Sequence, residues 1–224
     1  MFDQGRYNSL IARCAADFSF YKGTIQDLSG AQLAMSFAGA PTWSRVNGHP
    51  ALAQRANADG AASAATGPVV DVTGAFFVEA LFVPQLDPTT TDALLHQQAA
   101  GSGGFDIVWN PATDIVTLTL YTAAGAVART ISTAANTVVP TVPLHVVLAS
   151  SAGGAAGTAW LRGIPAAVAL AGAGVAANTA AAPVGYGRGT GLSDFIVSRV
   201  FSGAPGNEDA ACLAEVAREM VGGW

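Results

Sequence analysis

The sequence predicts an all-β sandwich, in which two antiparallel sheets stack and one helix follows near the C-terminal end. Short apolar runs alternate with clusters of glycine, proline, asparagine, aspartate and serine along the 224 residues, a pattern typical of sandwiches and barrels. Residues 115–121 (IVTLTLY) alternate between valine or leucine on one face and mainly threonine on the other, as a half-buried strand does. No fixed-period repeat, heptad or linker interrupts the pattern, so a single domain is expected.

Eight further segments have the composition of strands. The clearest, residues 75–83 (AFFVEALFV), is rich in aromatic and β-branched residues and stops at Pro84. The others are predicted at residues 92–98, 105–109, 126–132, 144–149, 158–162, 166–170 and 194–201. The apolar stretch 166–184 consists mostly of alanine, glycine and valine, and strands and turns are expected there although its alanine content permits a helix.

One long helix is predicted, over residues 208–221. Asn207 precedes it as the capping residue, two acids occupy its first turn, and Gly222 and Gly223 end it. Its apolar residues recur at helical spacing on one face, at Leu213, Val216 and Met220.

Only 11% of the residues are charged, against about 25% in average domains. A neutral surface suits extensive contacts with neighbouring proteins, since interface cores are depleted in charge. Nine arginines against one lysine also fit a GC-rich genome, which would explain the alanine-rich composition without an interface. Both explanations stay open.

Several classes of protein are disfavoured by charge and hydropathy. The net charge is −5 without a basic patch, which argues against nucleic-acid binding. No run approaches about 18 strongly apolar residues, so no membrane span is expected, and the first residues lack the pattern of a signal peptide. Cys14 and Cys212 lie near opposite ends of the chain; a sandwich can bring them together to pair, but buried free thiols are the favoured expectation.

Five segments resemble motifs of one family of sandwich domains, in the same order. DLSGAQLAMSF resembles the opening motif, and Trp43 and a GHPAL segment follow it as they do in the family. The later matching segments are TGAFFVEALFVP at 73–84, LHVVLAS at 144–150, TAWLRGIPAAV at 158–168 and LSDFIVSRVFSGAPGNED at 192–209. Over residues 17–221 the chain is similar to the laminin-G-like, concanavalin A-like lectin jelly rolls.

The resemblance implies a jelly-roll domain over residues 21–224, with residues 1–20 forming an N-terminal arm or a first strand. It also implies a hairpin turn at Arg162 and Gly163. Function does not follow from the fold, because sites are built onto folds independently.

Catalysis is not expected. Glycosidases on this fold need two carboxylates, about 5–5.5 Å apart for retention, and the lytic members of the family carry an E-x-D-x-x-E strand that is absent here. Glu79 stands alone in its strand. The three histidines, His49, His96 and His145, lack partners at zinc-binding spacing, and His145 is expected to be a satisfied sheet residue.

Two kinds of binding site are weighed. Calcium is the one metal considered, because relatives bind it at a loop rim to which Asp27 and Asp194 correspond, although calcium wants six to eight oxygens; otherwise no cofactor is expected. A sugar site would use exposed aromatic side chains with polar neighbours. The candidates are Trp109 with Asn110, and Tyr186 with Arg188. The alternative, favoured for each tryptophan, is that Trp43, Trp109 and Trp160 fill the core.

The role predicted from these observations is that of a non-enzymatic virion structural protein of a tailed phage: a capsid decoration or cement protein, or a tail-associated subunit. A lectin-like fold without a secretion signal or a catalytic constellation fits a protein assembled in the host cytoplasm. Its partners would be other virion proteins, as a homo-oligomer or in a lattice. The alternative is a carbohydrate-binding adhesin module that recognises a cell-surface glycan, and a degenerate hydrolase ranks last.

The N-terminal residues carry the assembly hypothesis. The family's jelly roll begins just before the DLSG motif, so residues 1–16 have no evident place in the sandwich. Ordering each residue costs about 1–2 kcal/mol, which burial of apolar side chains could offset at about 1.5–3 kcal/mol each. We therefore expect Phe2, Leu10 and Ile11 to contact another subunit.

Overall fold

The computed structural model describes residues 3–55, 59–85, 91–98, 103–174, 181–187 and 193–224. Within these residues sixteen strands form two stacked antiparallel sheets of eight strands each. The strands are β1 (Cys14–Ser19), β2 (Met35–Ala38), β3 (Thr42–Val46), β4 (His49–Ala53), β5 (Gly60–Thr66), β6 (Phe76–Pro84), β7 (Asp92–Gln98), β8 (Gly104–Asn110), β9 (Ile115–Tyr121), β10 (Val127–Thr133), β11 (Leu144–Ser150), β12 (Gly157–Leu161), β13 (Ile164–Ala166), β14 (Val168–Gly172), β15 (Ala182–Gly187) and β16 (Ser193–Ser202). The helices are α1 (Gln4–Ile11) and α2 (Asn207–Val221), with 3₁₀ turns at Phe20–Lys22 and Ala152–Gly154.

The strand order mixes neighbours that are distant in sequence. Sheet I runs β13-β12-β11-β6-β16-β4-β3, and sheet II runs β14-β10-β9-β8-β7-β15-β5-β2. The long strand β16 pairs with β6 on one side and, on the other, with β4 near its start and with β1 near its end. The predicted all-β sandwich with a long C-terminal helix is confirmed.

Most predicted strands coincide with observed ones. The bounds of β7 and β9 are as predicted, and in β9 Val116, Leu118 and Leu120 face the core. The segment 166–170 differs, because it is divided between β13 in sheet I and β14 in sheet II. The chain changes sheet at the residue between them. Strands β1 to β5 and β15 were not predicted individually, since they are short or, like β5 (GAASAAT), made mostly of alanine.

The central strands of sheet I are buried on both faces. Strands β6 and β11 are buried along their whole length and β16 along all but its last residue. Their inner faces join those of sheet II in one large core. Their outer faces are covered by α1 and α2, which explains why these strands are almost continuously apolar rather than alternating.

Two apolar clusters lie between sheet I and the helices. The first joins Leu10 of α1 and Leu213 of α2 to Phe77, Phe201 and Trp160 of the sheet. The second joins the C-terminal half of α2 to the other end of the sheet, through Ala51, Leu81, Val83, Ile196, Val197, Ala217, Met220 and Val221. We call the outer surface of sheet I, where both clusters lie, the helix-covered face.

The N-terminal residues have a place in the sandwich, contrary to the expectation that they have none. Strand β1 pairs with β16 from Cys14 to Ser19, and α1 lies beside α2. Asp3 caps α1 by accepting a hydrogen bond from the Arg6 N–H at 2.9 Å, and the Arg6 guanidinium donates to Asp209 of α2 at 3.0 Å. The chain itself therefore supplies the surface on which these residues are ordered.

Helix α2 begins one residue earlier than predicted. Asn207 lies inside the helix, and Gly206 is the capping position. The Asn207 side chain instead accepts a hydrogen bond from the indole N–H of Trp160 at 2.9 Å, while Asp209 accepts from the Gly206 N–H at 3.0 Å. The predicted end is confirmed, because Gly222 adopts a left-handed φ of 77°.

Cys14 and Cys212 are buried free thiols in the same apolar cluster. Burial raises the pKa of Cys14 far above its ordinary value. The part of the chain that the structure describes contains no helix with the length and hydropathy needed to cross a membrane.

Candidate functional site

The residues predicted to bind a sugar do not form a common surface. Trp109 is fully buried and packs against Phe82 with ring centroids 6.0 Å apart. Tyr186 is also fully buried in the core. Asn110 lies at a turn, where its side chain accepts a hydrogen bond from a backbone N–H at 3.0 Å. Arg188 lies outside the described residues, so the candidates that are described contribute to packing and turn geometry.

The two calcium candidates are engaged with other groups. Asp27 is buried and accepts hydrogen bonds from backbone N–H groups of its own loop and of β1 at 2.9–3.0 Å. Asp194 forms an ion pair with Arg55 at 2.6 Å and accepts from Gln85 at 3.2 Å. Across the described ranges no group of three or more metal-binding side chains occurs. Calcium binding by either residue stays a prediction.

The residues expected to contact another subunit face this chain. Leu10 is 1% exposed beneath the helices, and Ile11 packs partly buried against the same cluster. Phe2 lies outside the described residues. Leu10 therefore offers no side-chain surface to a partner in this conformation.

Glu79, the one carboxylate of β6, contacts basic side chains of the two neighbouring strands. It lies on the helix-covered face, where its carboxylate accepts from Arg199 at 3.2 Å and lies 3.0 Å from the Nε2 atom of His145. Arg199 also donates to Asp17 at 2.9 Å and to the Ser19 hydroxyl at 2.7 Å. His145 is the buried sheet residue that was predicted.

This network crosses four neighbouring strands of sheet I, from β1 through β16 and β6 to β11. Burial alone would raise the pKa of Glu79, but Arg199 and His145 outweigh it and hold that pKa below its ordinary value. Burial opposes the charge of Arg199, yet Glu79 and Asp17 raise its pKa well above the ordinary value. Glu79 and Arg199 are 2% exposed and His145 is fully buried, so a ligand has no access to the network.

The surface that does offer aromatic side chains is an edge of the sandwich. Strands β2 and β3 are the edge strands of sheet II and sheet I, and only residues 39–41 separate them, so the two edges lie on the same side. Phe37 pairs with Ala61, and Trp43 with Leu52, both residues of the central core. Phe37 and Trp43 therefore project from the inner faces of their sheets.

Both aromatic side chains nevertheless remain accessible. Phe37 is 48% exposed and Trp43 is 43% exposed, so the sandwich is not closed between β2 and β3. We call this surface, defined by Phe37 and Trp43, the open edge. The expectation that Trp43 fills the core is wrong, because its strand lies at the edge of the sheet, where the opposite sheet does not cover it.

Trp43 lines a cleft of about 260 Å³ at the open edge. The other lining residues are Gly23, Ser44, Arg45 and Pro50. Trp43 and Arg45 are two residues apart on one strand and so share a face, and the Arg45 guanidinium donates to the Gly48 carbonyl at 2.6 Å. The cleft thus combines an exposed aromatic ring and a cation, whereas the Ser44 hydroxyl faces the other side of β3 and donates to the Ala51 carbonyl at 3.4 Å.

The β3–β4 hairpin that presents the cleft is held from behind. Its two-residue turn, Asn47 and Gly48, has φ angles of 49° and 82°, as the favoured hairpin turns require. A Cβ atom placed on Gly222, at the end of α2, would lie 2.8 Å from the Asn47 side chain, so the turn packs closely on the helix. Val46 and Ala51 complete this support from the second apolar cluster.

The connection between the two edge strands is fixed by Asp59. Its buried carboxylate accepts a hydrogen bond from the Ala40 N–H at 2.9 Å and another from the Arg55 N–H at 3.0 Å. One side chain therefore ties the β2–β3 connection to the segment after β4. The backbone of the open edge is thus positioned by hydrogen bonds and packing outside the cleft.

The sequence contains a local signal for this site in addition to the family motifs. Asn-Gly between TWSRV and HPALA is a strong hairpin signal. A hairpin there places Trp43 and Arg45 on the same face. One of its two strands can then lie at the edge of a sheet. The sequence does not show whether the second sheet covers that face.

Comparison with known proteins shows similarity in fold only. No protein-family model matches the chain, and no curated protein matches it in sequence. Among solved structures it is similar to the botulinum neurotoxin serotype D binding domain, with a TM-score of 0.74 and 10% identity over 94% of this chain and 52% of that one. The same toxin's ligand-binding domain in complex with N-acetylneuraminic acid gives 0.73 and 9%, over 94% and 52% of the two chains. The binding domain of Paraclostridial Mosquitocidal Protein 1 gives 0.72 and 10%, over 92% and 53%.

The chain spans about half the length of these binding domains. The similarity in fold therefore does not show that this chain binds the ligands of those domains. The strand order, the two stacked antiparallel sheets and these neighbours agree on the architecture. The chain is a lectin-like jelly-roll β-sandwich.

Proposed function

We propose that the chain is a non-catalytic carbohydrate-binding module whose binding site is the open edge. The observation that carries the proposal is the exposure of Trp43 in a cleft that also contains Ser44 and Arg45. Sugar rings stack on aromatic faces, and a guanidinium group beside such a ring fixes the orientation of a ligand. The similar solved structures are binding domains, and one of them is complexed with a sugar acid, which supports this function over a virion role.

A binding function without turnover fits the location of the carboxylates. Glu79 is buried in the helix-covered face and held by Arg199, so it is not available to a saccharide at the open edge. Incubation of the protein with polysaccharides should release no reducing ends. Turnover that is abolished by Glu79→Gln would contradict the non-enzymatic assignment.

Trp43→Ala tests the location of the site. The protein is applied to a glycan array beside Trp43→Ala and a matched control, Trp224→Ala, which removes the other exposed tryptophan at 39% exposure. Loss of an aromatic anchor should weaken retention at least about tenfold for Trp43→Ala. Trp224→Ala should bind like the wild type. Retention that survives Trp43→Ala, or a wild type that no glycan retains, would refute the proposal.

A virion structural role is the second candidate. A sequence with 11% charged residues and exposed apolar side chains at Phe37, Val127 and Ile164 supports a subunit that contacts neighbours. Light scattering and electron microscopy of the purified protein distinguish the two. A large symmetric particle favours the virion role, and a monomer retained by a glycan favours the binding module.

A further inference from the structure

We infer that the open edge selects saccharides that carry a carboxylate group, and that Arg45 is the residue that pairs with it. The inference rests on the proposed function and names the class of ligand for the same site. It follows from the charge state of the cleft, the geometry of Arg45 and the distribution of ion pairs over the molecule.

Arg45, like Arg129, Arg162 and Arg218 among the described residues, forms no ion pair with a carboxylate. Within the described residues, the arginines that form ion pairs with carboxylates are Arg6, Arg13, Arg55 and Arg199. Arg45 forms none there, and its guanidinium donates to the carbonyl of Gly48. Its positive charge is therefore not neutralised by a neighbouring acid in this part of the chain.

The cleft around Arg45 has a local charge opposite to that of the whole protein. None of the other residues that line it carries a charge, whereas the whole chain carries a net charge of −5. Lys22, the one lysine of the chain, immediately precedes the lining residue Gly23 and is exposed. An anionic group is therefore attracted to this cleft on a molecule whose net charge is negative.

The geometry of Arg45 suits a carboxylate next to a stacked sugar ring. A guanidinium has five N–H donors in a rigid plane, and the bond to Gly48 uses one nitrogen and fixes the orientation of the group. The remaining donors can form the two parallel hydrogen bonds that carboxylates accept from arginine. Because Trp43 lies on the same face of β3, one sugar residue can stack on the indole while its carboxylate reaches Arg45.

The test uses matched pairs of saccharides that differ only at the carboxylate. Sialylated and uronic-acid oligosaccharides are printed as the free acid and as the methyl ester, beside neutral and sulfated glycans. The proteins compared are the wild type, Trp43→Ala, Arg45→Gln, Arg45→Lys and a control, Arg218→Gln, which removes another exposed positive charge, on α2. Thermal unfolding verifies that each variant is folded.

The wild type should bind the free acid at least about tenfold more tightly than the ester, since charge-assisted bonds are about twice as strong as neutral ones. Arg45→Gln should abolish this preference, Arg45→Lys should retain part of it, and Arg218→Gln should leave it intact. Equal binding of acid and ester, both lost in Trp43→Ala, would overturn the carboxylate inference and leave the binding module standing. Stronger binding of sulfated glycans would overturn it in favour of a sulfate site. Binding that Trp43→Ala does not weaken would overturn both proposals.

Discussion

Arg199 and Arg45 lie in two regions of sheet I that differ in whether the charge of the arginine is paired with carboxylates of the chain. Arg199 is 2% exposed on the helix-covered face and donates to Asp17, Glu79 and Ser19. Arg45 lies at the open edge, exposed, with one backbone carbonyl as acceptor. The first region satisfies its charges internally, and in the second the guanidinium remains exposed to solvent.

The tryptophans show the same contrast. Trp160 packs under α2 and donates its indole N–H to Asn207, whereas Trp43 faces the interior from an edge strand and remains 43% exposed. Residue type alone therefore does not separate buried side chains from accessible ones in this fold. Cover by a helix or by the opposite sheet does. Substitutions in the helix-covered face should therefore lower stability, and those at the open edge should lower binding.

The largest effect is expected for Arg199→Met. It leaves Asp17 and Glu79 buried without their cation, and breaking a buried ion pair typically costs about 3–5 kcal/mol. The free energy of unfolding, measured in urea, should fall by that amount. Arg45→Gln should change it by less than about 0.5 kcal/mol. Equal losses for the two variants would erase the distinction between the regions.

A smaller loss is expected for Leu10→Ala, which opens a cavity between α1 and the first apolar cluster. Such truncations cost about 2–5 kcal/mol. Phe37→Ala at the open edge is the matched comparison, and its loss should be clearly smaller because nearly half of that side chain is already in water. If Leu10→Ala were neutral, the N-terminal segment would not be part of the folded unit.

The smallest effect concerns pH. The folded-state pKa of Glu79 lies below the ordinary value of 4.5, so the unfolded chain binds its proton first as the solution is acidified. The stabilisation is therefore complete above about pH 4.5 and is lost as the pH falls through the folded-state pKa.

Urea unfolding of the wild type and Glu79→Gln between pH 6 and pH 3 measures this contribution, at most about 1.4 kcal/mol per pH unit. Asp209, whose pKa is also lowered, contributes with the same sign, and Asp106, whose pKa is raised by burial, with the opposite sign. Asp209 and Asp106 are present in both the wild type and Glu79→Gln. The difference between the two pH profiles therefore isolates the contribution of Glu79. Parallel pH profiles would show that Arg199 and His145 do not stabilise the carboxylate.

Local pattern was sufficient for β6 to β12 and β16 and insufficient for the short or alanine-rich strands and for the site. Periodicity and composition located β7, β9 and α2, because the features that decide them are neighbours in sequence. Glu79 and Arg199 are 120 residues apart, so their contact depends on β6 and β16 being adjacent, which no local pattern reveals. Trp109 and Trp43 both occupy strands, and only the position of each strand within its sheet separates them.

The indole N–H resonances of the four tryptophans report whether a saccharide binds at the open edge. A ¹⁵N-labelled sample is titrated with a sialylated oligosaccharide while its spectrum is followed. Binding at the open edge should cause a saturable shift of the Trp43 resonance, with Trp109 and Trp160 unmoved because they are buried and Trp224 unmoved although it is exposed. A shift of Trp224 without Trp43, or a spectrum that the saccharide leaves unchanged, would contradict it.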